Sequence, residues 1–182
     1  MNIFAVDPSP EKAAESLCDA HVIKMIVESA QLLSAQDRLC GRDRGYRLTH
    51  AAHPCRRCLT NPQNYNWLCA HLEALLKEYE YRFGKRHRSG ELFREFWSGY
   101  GSFDPAALTL PKCMPEVFRT GGDSIDGVVA SYRNFYRFKR LVLPRFRYTG
   151  REVPEWLSTP GKTAETSDGR AGFFTVRARR RA

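Results

Sequence analysis

The sequence lacks the features of membrane and secreted proteins. No apolar run approaches the roughly 20 residues that a membrane-spanning helix needs. The opening stretch MNIFAVDPSPEK has neither the basic start nor the apolar segment of a secretory signal. Six cysteines are spread over 182 residues, and without export we expect free thiols rather than disulfides. These absences predict a cytoplasmic protein with no membrane partner.

The common motifs of nucleotide and hydrolytic chemistry are also missing. The chain contains no GxxxxGK[ST] phosphate loop, no GxGxxG turn, no GxSxG elbow and no HExxH. Hydrolysis of nucleoside triphosphates and hydride transfer on a dinucleotide therefore have no support, and we predict no cofactor.

The chain carries a marked excess of positive charge. It has 29 Lys and Arg against 20 Asp and Glu, for a net charge of +9. The last 25 residues contribute +4, so the body keeps +5. Such a body favours a polyanionic partner, with nucleic acid first, although a merely soluble basic protein remains an alternative.

Apolar periodicity predicts a mainly α fold, namely a compact single-domain bundle of four to five helices with long irregular loops. Caps and breakers set the limits of the four clearest helices. These run from Ser9–Pro10 to before Gly41, from Asn61–Pro62 to Gly84, from Ser89 to about Trp97, and from Asp123 to before Pro144. We predict one helical domain over residues 1–157 and a flexible basic tail over 158–182, where periodicity ends.

A row of mixed polar side chains lies along the first predicted helix. His21, Lys24 and Glu28 step by three and four residues and share one face, with Cys18 one turn earlier. One interpretation is an exposed Lys24–Glu28 ion pair between simple boundary residues. The other is a site in which a partly desolvated Lys24 is the nucleophile. Glu28 or Asp19 would then be the general acid or base, and His21 a proton shuttle.

The stretch HAAHPCRRC raises the question of a metal. His50, His53, Cys55 and Cys58 are possible zinc ligands, but the stretch lacks two well-separated ligand pairs. We therefore predict no metal. We expect instead a loop that sends His53 and Cys55 toward the first helix and leaves Arg56 and Arg57 for phosphates.

Further residues are candidates for binding DNA. Asn64 and Tyr65, at the start of the second helix, offer hydrogen bonds and a stacking surface to an unstacked base. Basic residues end that helix and alternate with aromatic residues in the fourth: Lys85, Arg88, Arg133 and Arg137. Favourable charge at a helix C-terminus and a solvated basic face are the plain alternatives.

The order of several short motifs resembles a family of small tailed-bacteriophage proteins. The motifs are NIFAVDPSPEKAAESLCDAHVIKMIVESAQLL, HPC, NYNWL, RFGKRH, SYRNFY and PEWL, and the resemblance covers about residues 2–157. This chain has Ala20 where a lysine is common and Cys58 where tryptophan is expected, which argues against Cys58 as an essential ligand. The resemblance implies a phage protein in the bacterial cytoplasm, similar in size to phage enzymes of DNA base excision and hypermodification. It assigns no catalytic residue.

Together these patterns lead to the hypothesis of an enzyme that acts on DNA at a base or its glycosidic bond, by base modification or excision. Amine attack by Lys24 at a sugar carbon and acid–base assisted transfer onto a modified pyrimidine both fit. The predicted catalytic residues are His21, Lys24, Glu28, His53, Cys18 and Asp19. The predicted DNA contacts are Arg56, Arg57, Asn64, Tyr65, Lys85, Arg88, Arg133 and Arg137. A non-enzymatic nucleic-acid-binding or host-takeover protein and an enzyme of free nucleotides are the alternatives.

Overall fold

A computed structural model describes residues 1–158 and confirms the mainly helical fold. Within these residues there are seven α-helices, three short 3-10 turns and no strand. The helices are α1 (Pro10–Glu15), α2 (Asp19–Leu39), α3 (Pro54–Arg57), α4 (Pro62–Phe83), α5 (Ser89–Phe96), α6 (Ile125–Val142) and α7 (Glu155–Ser158). The number of helices exceeds the predicted four to five because it includes α1, α3 and α7, which are only four to six residues long. The predicted basic tail lies, after Ser158, outside the described residues.

The first predicted helix is divided into α1 and α2. Ser16 ends α1, and Cys18 has an extended backbone and precedes the first residue of α2. The main-chain nitrogen of Asp19 donates to the Arg147 carbonyl, 2.9 Å away, instead of continuing α1. The prediction that Cys18 borders the polar face is therefore wrong, because the break turns its side chain into the core.

Helices α2 and α4 form the centre of the fold, with the start of the chain packed against them. One face of α2 is fully buried and consists of the apolar residues Val22, Met25, Ile26, Leu32 and Leu33. Trp67 of α4 is also buried, and its ring nitrogen donates to the Pro8 carbonyl at 2.7 Å. Residues 3–6 are buried without forming a strand.

Local capping signals set the ends of α4 as predicted. The Asn61 side chain accepts from the main-chain nitrogen of Gln63, Pro62 takes the first helical position, and Gly84 ends the helix with φ +63°. In α6 the cap is Ser124 and not the predicted Asp123, since the Ser124 hydroxyl accepts from the main-chain nitrogen of Gly127. None of the described helices is long and apolar enough to cross a membrane.

A buried carboxylate at the end of α2 joins three parts of the fold. Asp37 accepts hydrogen bonds from Arg42, Arg44, Tyr65 and the ring nitrogen of Trp97, at 2.7–3.1 Å. Burial alone would raise the pKa of Asp37, but the hydrogen bonds from these four side chains outweigh burial and lower it. The ionised carboxylate therefore stabilises the folded chain.

Replacing Asp37 by asparagine should lower the free energy of unfolding at pH 7 by about 2 kcal/mol, because charged hydrogen bonds are lost without a change of shape. The folded-state pKa lies below the ordinary value of about 3.9, so this contribution is complete above that pH and is lost only below it. Urea unfolding of Asp37→Asn from pH 7 to pH 3 checks both points. Asp43→Asn is the control, since the Asp43 side chain is 84% exposed beside Arg38. Equal effects of the two variants would contradict the assigned role.

Candidate active site

The carboxylate of Glu28 lies where the start of the chain meets α2. One of its oxygens, Oε2, accepts from the main-chain nitrogen of Asn2 at 2.7 Å. The other, Oε1, is 3.3 Å from Lys24 Nζ, and the Glu28 side chain is only 13% exposed. The spacing within α2 predicted the Lys24 contact. It could not predict the Asn2 contact, which joins residues 26 positions apart.

The Asn2 side chain fixes the position of this main-chain nitrogen. Its oxygen accepts from the main-chain nitrogens of Ile3 and Phe4, at 2.8 and 3.1 Å. Its amide group donates to the Cys113 carbonyl at 2.8 Å. Asn2 thus connects α2 with the loop that precedes α6.

Phe4 adopts a conformation that bulky residues rarely take, with φ +42°. Such strain costs on the order of 1–3 kcal/mol and persists only where packing imposes it. Here the ring stacks on His21, with centroids 4.5 Å apart, and meets Tyr136 edge to face. The turn at Phe4 lies two residues from the nitrogen that contacts Glu28.

His21 lies behind this turn and not on an open face. Its Nδ1 is 2.9 Å from the Tyr136 hydroxyl, and the residue is buried. Burial, then the positive charges of Lys139 and Lys24, lower the pKa of His21 to about 4. The imidazole is therefore neutral at pH 7, and the prediction that His21 lies with Lys24 and Glu28 on the polar face of the helix is corrected.

Asp19 and Cys18 are occupied by contacts that hold α2 to the rest of the fold. Asp19 accepts from Arg82 at 3.1 Å and from the main-chain nitrogen and hydroxyl of Thr149, at 3.0 and 2.7 Å. The main-chain nitrogen of Cys18 donates to the Tyr136 hydroxyl at 2.8 Å. Lys24 also differs from the prediction, which was that its amine is partly desolvated. Its side chain is 63% exposed and so is not desolvated.

The segment with His53 and Cys55 approaches α2, as expected from the sequence: α3 contacts α2, and the charge of Glu28 acts on His53, whereas the Cys55 sulfur faces Cys113. His53 caps α3, where its Nδ1 accepts from the main-chain nitrogen of Cys55 at 3.1 Å. Burial is the main cause that lowers the pKa of His53, the nearby α-amino group also lowers it, and the charge of Glu28 opposes both. His53, Lys24 and Glu28 are thus grouped around the start of the chain, whereas Cys18 and His21 are buried and Asp19 is paired with Arg82.

The predicted DNA contacts divide into exposed and structural residues. Arg57, Lys85 and Arg88 are exposed. The other five make contacts within the protein. Asn64 is buried and bonds to Thr109 and the Cys58 carbonyl, Tyr65 donates to Asp37, and Arg56 donates to the Ala51 carbonyl. Arg133 donates to the Val6 carbonyl and pairs with Asp7, and Arg137 donates to the Trp156 carbonyl.

The buried imidazole of His21 should make stability depend on pH. Its folded-state pKa of about 4 lies below the ordinary value of about 6.5, so the unfolded chain binds the proton first. Stability is then complete above about pH 6.5 and falls as the pH drops toward 4. His21→Gln should flatten this fall in urea unfolding midpoints measured from pH 7.5 to 4.5. His50→Asn, a change of an exposed imidazole, should leave it unchanged. Identical pH profiles for wild type and His21→Gln would contradict the account.

Comparison with known proteins identifies the family of this chain. The model of the family described as pyrimidine dimer DNA glycosylase matches residues 1–91, half of the chain. The matched stretch contains Asn2, Glu28 and His53. No curated protein and no solved structure matches the chain. The hypothesis of an enzyme that acts on DNA at a base or its glycosidic bond is confirmed, and the chain belongs to the pyrimidine dimer DNA glycosylase family.

Proposed function

We propose that this protein cleaves the glycosidic bond of a pyrimidine within a pyrimidine dimer in DNA, with Glu28 as the central carboxylate. The observation that carries the proposal is the nearly buried Glu28 carboxylate with two nitrogens, Asn2 N and Lys24 Nζ, within 3.3 Å. To replace a base at a sugar carbon, an amine attacks the carbon as the nucleophile and a neighbouring carboxylate transfers protons. The matched family supplies the pyrimidine dimer as the substrate class.

The proposed reaction uses the amine as the nucleophile. Its nitrogen attacks C1′ of the nucleotide, and the bond from C1′ to the base breaks with its electron pair going to the base. The amine gives up one proton to Glu28, and the leaving base takes a second proton from water. Opening of the sugar ring by protonation of its oxygen then leaves a protonated imine between C1′ and the enzyme. Glu28 is placed to accept the first proton and to donate to the ring oxygen.

Two nitrogens beside Glu28 are candidates for the attacking atom. Lys24 Nζ is the one that the sequence predicts. Its side chain is 63% exposed and therefore stays in contact with solvent. The second is Asn2 N, a peptide nitrogen that becomes a primary amine if Met1 is removed. An α-amine has an ordinary pKa of about 8, against about 10.4 for lysine, and so is far more often neutral at pH 7. The distance of 2.7 Å from Glu28 favours this second candidate.

Cations that are wholly or partly exposed are the proposed contacts to the DNA backbone. Arg57 is exposed on α3, four residues after His53. The positive charges of Lys24 and Lys139 both lower the pKa of His21, so both lysines lie near the start of α2. Lys85 and Arg88 are exposed beyond the end of α4. Phosphates bound by these side chains would orient the duplex, and the chemistry would occur at Glu28.

We also propose residues 1–157 as the single catalytic domain, followed by a basic tail. In support, Arg137 and Arg140 of α6 donate to the carbonyls of Trp156 and Leu157, so the fold that holds the site continues to this point. The order of motifs over residues 2–157 supports an origin in a tailed phage, with activity in the cytoplasm of its bacterial host.

Glu28→Gln should lower the rate of base release from a duplex with one thymine dimer by about 100-fold or more, the usual weight of a general acid–base group. Reduction with borohydride during turnover should join the wild-type protein covalently to DNA, because the imine becomes a stable amine. Peptide mass spectrometry of that adduct identifies the attacking nitrogen as Lys24 or the α-amine.

The matched control is Glu80→Gln, which changes a 59% exposed glutamate on α4. DNA affinity and thermal stability are measured for both variants, so that loss of folding is separated from loss of chemistry. A fully active Glu28→Gln variant would overturn the role of Glu28. Base release by the wild type without any trapped adduct would overturn amine attack and favour direct attack by water.

A further inference from the structure

Three possible metal ligands, two from one segment and one from a distant segment of the chain, lie close together beside the candidate active site. They are His53 before α3, Cys55 within it, and Cys113 in the loop before α6. Their ligand atoms all lie within 4.8 Å of one another, and the two sulfurs are 3.2 Å apart. Cys55 is buried, and the other two residues are partly exposed.

We propose that His53, Cys55 and Cys113 form a zinc site with one open position. Two thiolates and an imidazole are a donor set that suits zinc. Zinc–sulfur bonds of about 2.3 Å in a tetrahedron separate two sulfurs by roughly 3.8 Å. The observed 3.2 Å is within about 0.6 Å of that separation, whereas a disulfide would need the sulfurs to close by more than 1 Å, to about 2.05 Å.

The prediction of no metal from HAAHPCRRC rested on the absence of a second, separate ligand pair. The structure shows why that pattern was incomplete: Cys113 is 58 residues from Cys55 in sequence. Cys58 and His50, which the sequence also offered, are not in the cluster. The set of ligands is therefore defined by the fold and not by a local spacing.

The surrounding structure holds the three ligands in place and leaves a path to them. The main-chain nitrogen of Cys113 donates to the Tyr132 hydroxyl at 3.3 Å, and that hydroxyl donates to the Pro111 carbonyl at 2.9 Å. A cleft of about 570 Å³ reaches Cys113 between Pro54 and Pro111. Zinc binding would release the thiol protons, and binding through Nδ1 would replace the hydrogen bond that His53 accepts from the main-chain nitrogen of Cys55.

The position of the cluster indicates a positioning role for the metal. The Cys113 carbonyl accepts from the Asn2 side chain at 2.8 Å, and the main-chain nitrogen of Asn2 donates to Glu28 at 2.7 Å. A metal that joins α3 to the Cys113 loop would therefore hold the start of the chain on Glu28. This site does not depend on the proposed reaction, and its occupancy is measured without any activity assay.

The test is a titration of the chelator-treated, fully reduced protein with Co²⁺ and then Zn²⁺. We expect thiolate-to-cobalt absorption that saturates at one equivalent per chain and is abolished by one equivalent of zinc. Cys55→Ser and Cys113→Ser should lose this absorption, and His53→Ala should weaken cobalt binding at least tenfold. Cys58→Ser and Cys40→Ser should retain it, since they remove a nearby and an exposed thiol outside the cluster.

Alkylation of the wild-type protein gives a second readout that needs no folded variant. Zinc should protect the partly exposed Cys113 from iodoacetamide and leave the exposed Cys40 as reactive as before. Absence of both cobalt absorption and zinc protection would overturn the site, as would unchanged cobalt binding by Cys113→Ser. A Cys55–Cys113 disulfide in the unreduced protein, with no metal uptake after reduction, would assign the pair to thiol chemistry instead.

Discussion

The hydrogen bond from the main-chain nitrogen of Asn2 to Glu28 is the contact on which the candidate site depends. This hydrogen bond requires the first residues of the chain to lie directly over the middle of α2. Burial of residues 3–6 supplies the stabilisation that holds the segment there, and the strained turn at Phe4 sets its direction. His21 and Tyr136 form the surface against which Phe4 packs. Residues that do not touch a substrate therefore decide where the nitrogen lies relative to the carboxylate.

Much of the charge in this basic protein serves its structure. Arg82 is buried and bonds to Glu78, Asp19 and two main-chain carbonyls, so one guanidinium joins α4 to α1 and α2. Arg133 and Arg137 similarly connect α6 to the start of the chain and to α7. Arginine suits this use because its planar group donates in several fixed directions. Within residues 1–158, the cations that remain exposed are the ones available to phosphates, which is why net charge indicates a DNA partner but not which residues bind it.

Sequence patterns predicted the features that depend on near neighbours. The limits of α4 follow from Asn61, Pro62 and Gly84, and the buried stripe of α2 follows from its periodicity. The Lys24–Glu28 pair likewise follows from a four-residue step. What the sequence could not show are contacts between remote residues, such as Asn2 with Glu28. Local spacing also placed His21 on the polar face, because periodicity does not reveal that Phe4 and Tyr136 cover it.

The pairing of Cys55 with Cys113 and the bonds of Asp37 to Trp97 have the same long-range origin. Each joins segments separated by more than 50 residues, and no pattern within one segment indicates either contact. Asp37 occupies an unremarkable place near the end of a helix in the sequence, yet it is buried and accepts hydrogen bonds from four side chains. A buried carboxylate with this many donors becomes visible only once the helices are packed.

The most direct test of the account is a crystal structure of the Glu28→Gln variant bound to a duplex that contains one thymine dimer. The substitution keeps the shape of the site and slows the chemistry, so the bound substrate should be seen before cleavage. We expect C1′ of one dimer nucleotide to lie about 3.5 Å from an amine nitrogen beside residue 28, as a reactive geometry requires. A dimer bound on a face away from residue 28 and the start of the chain would contradict the central claim.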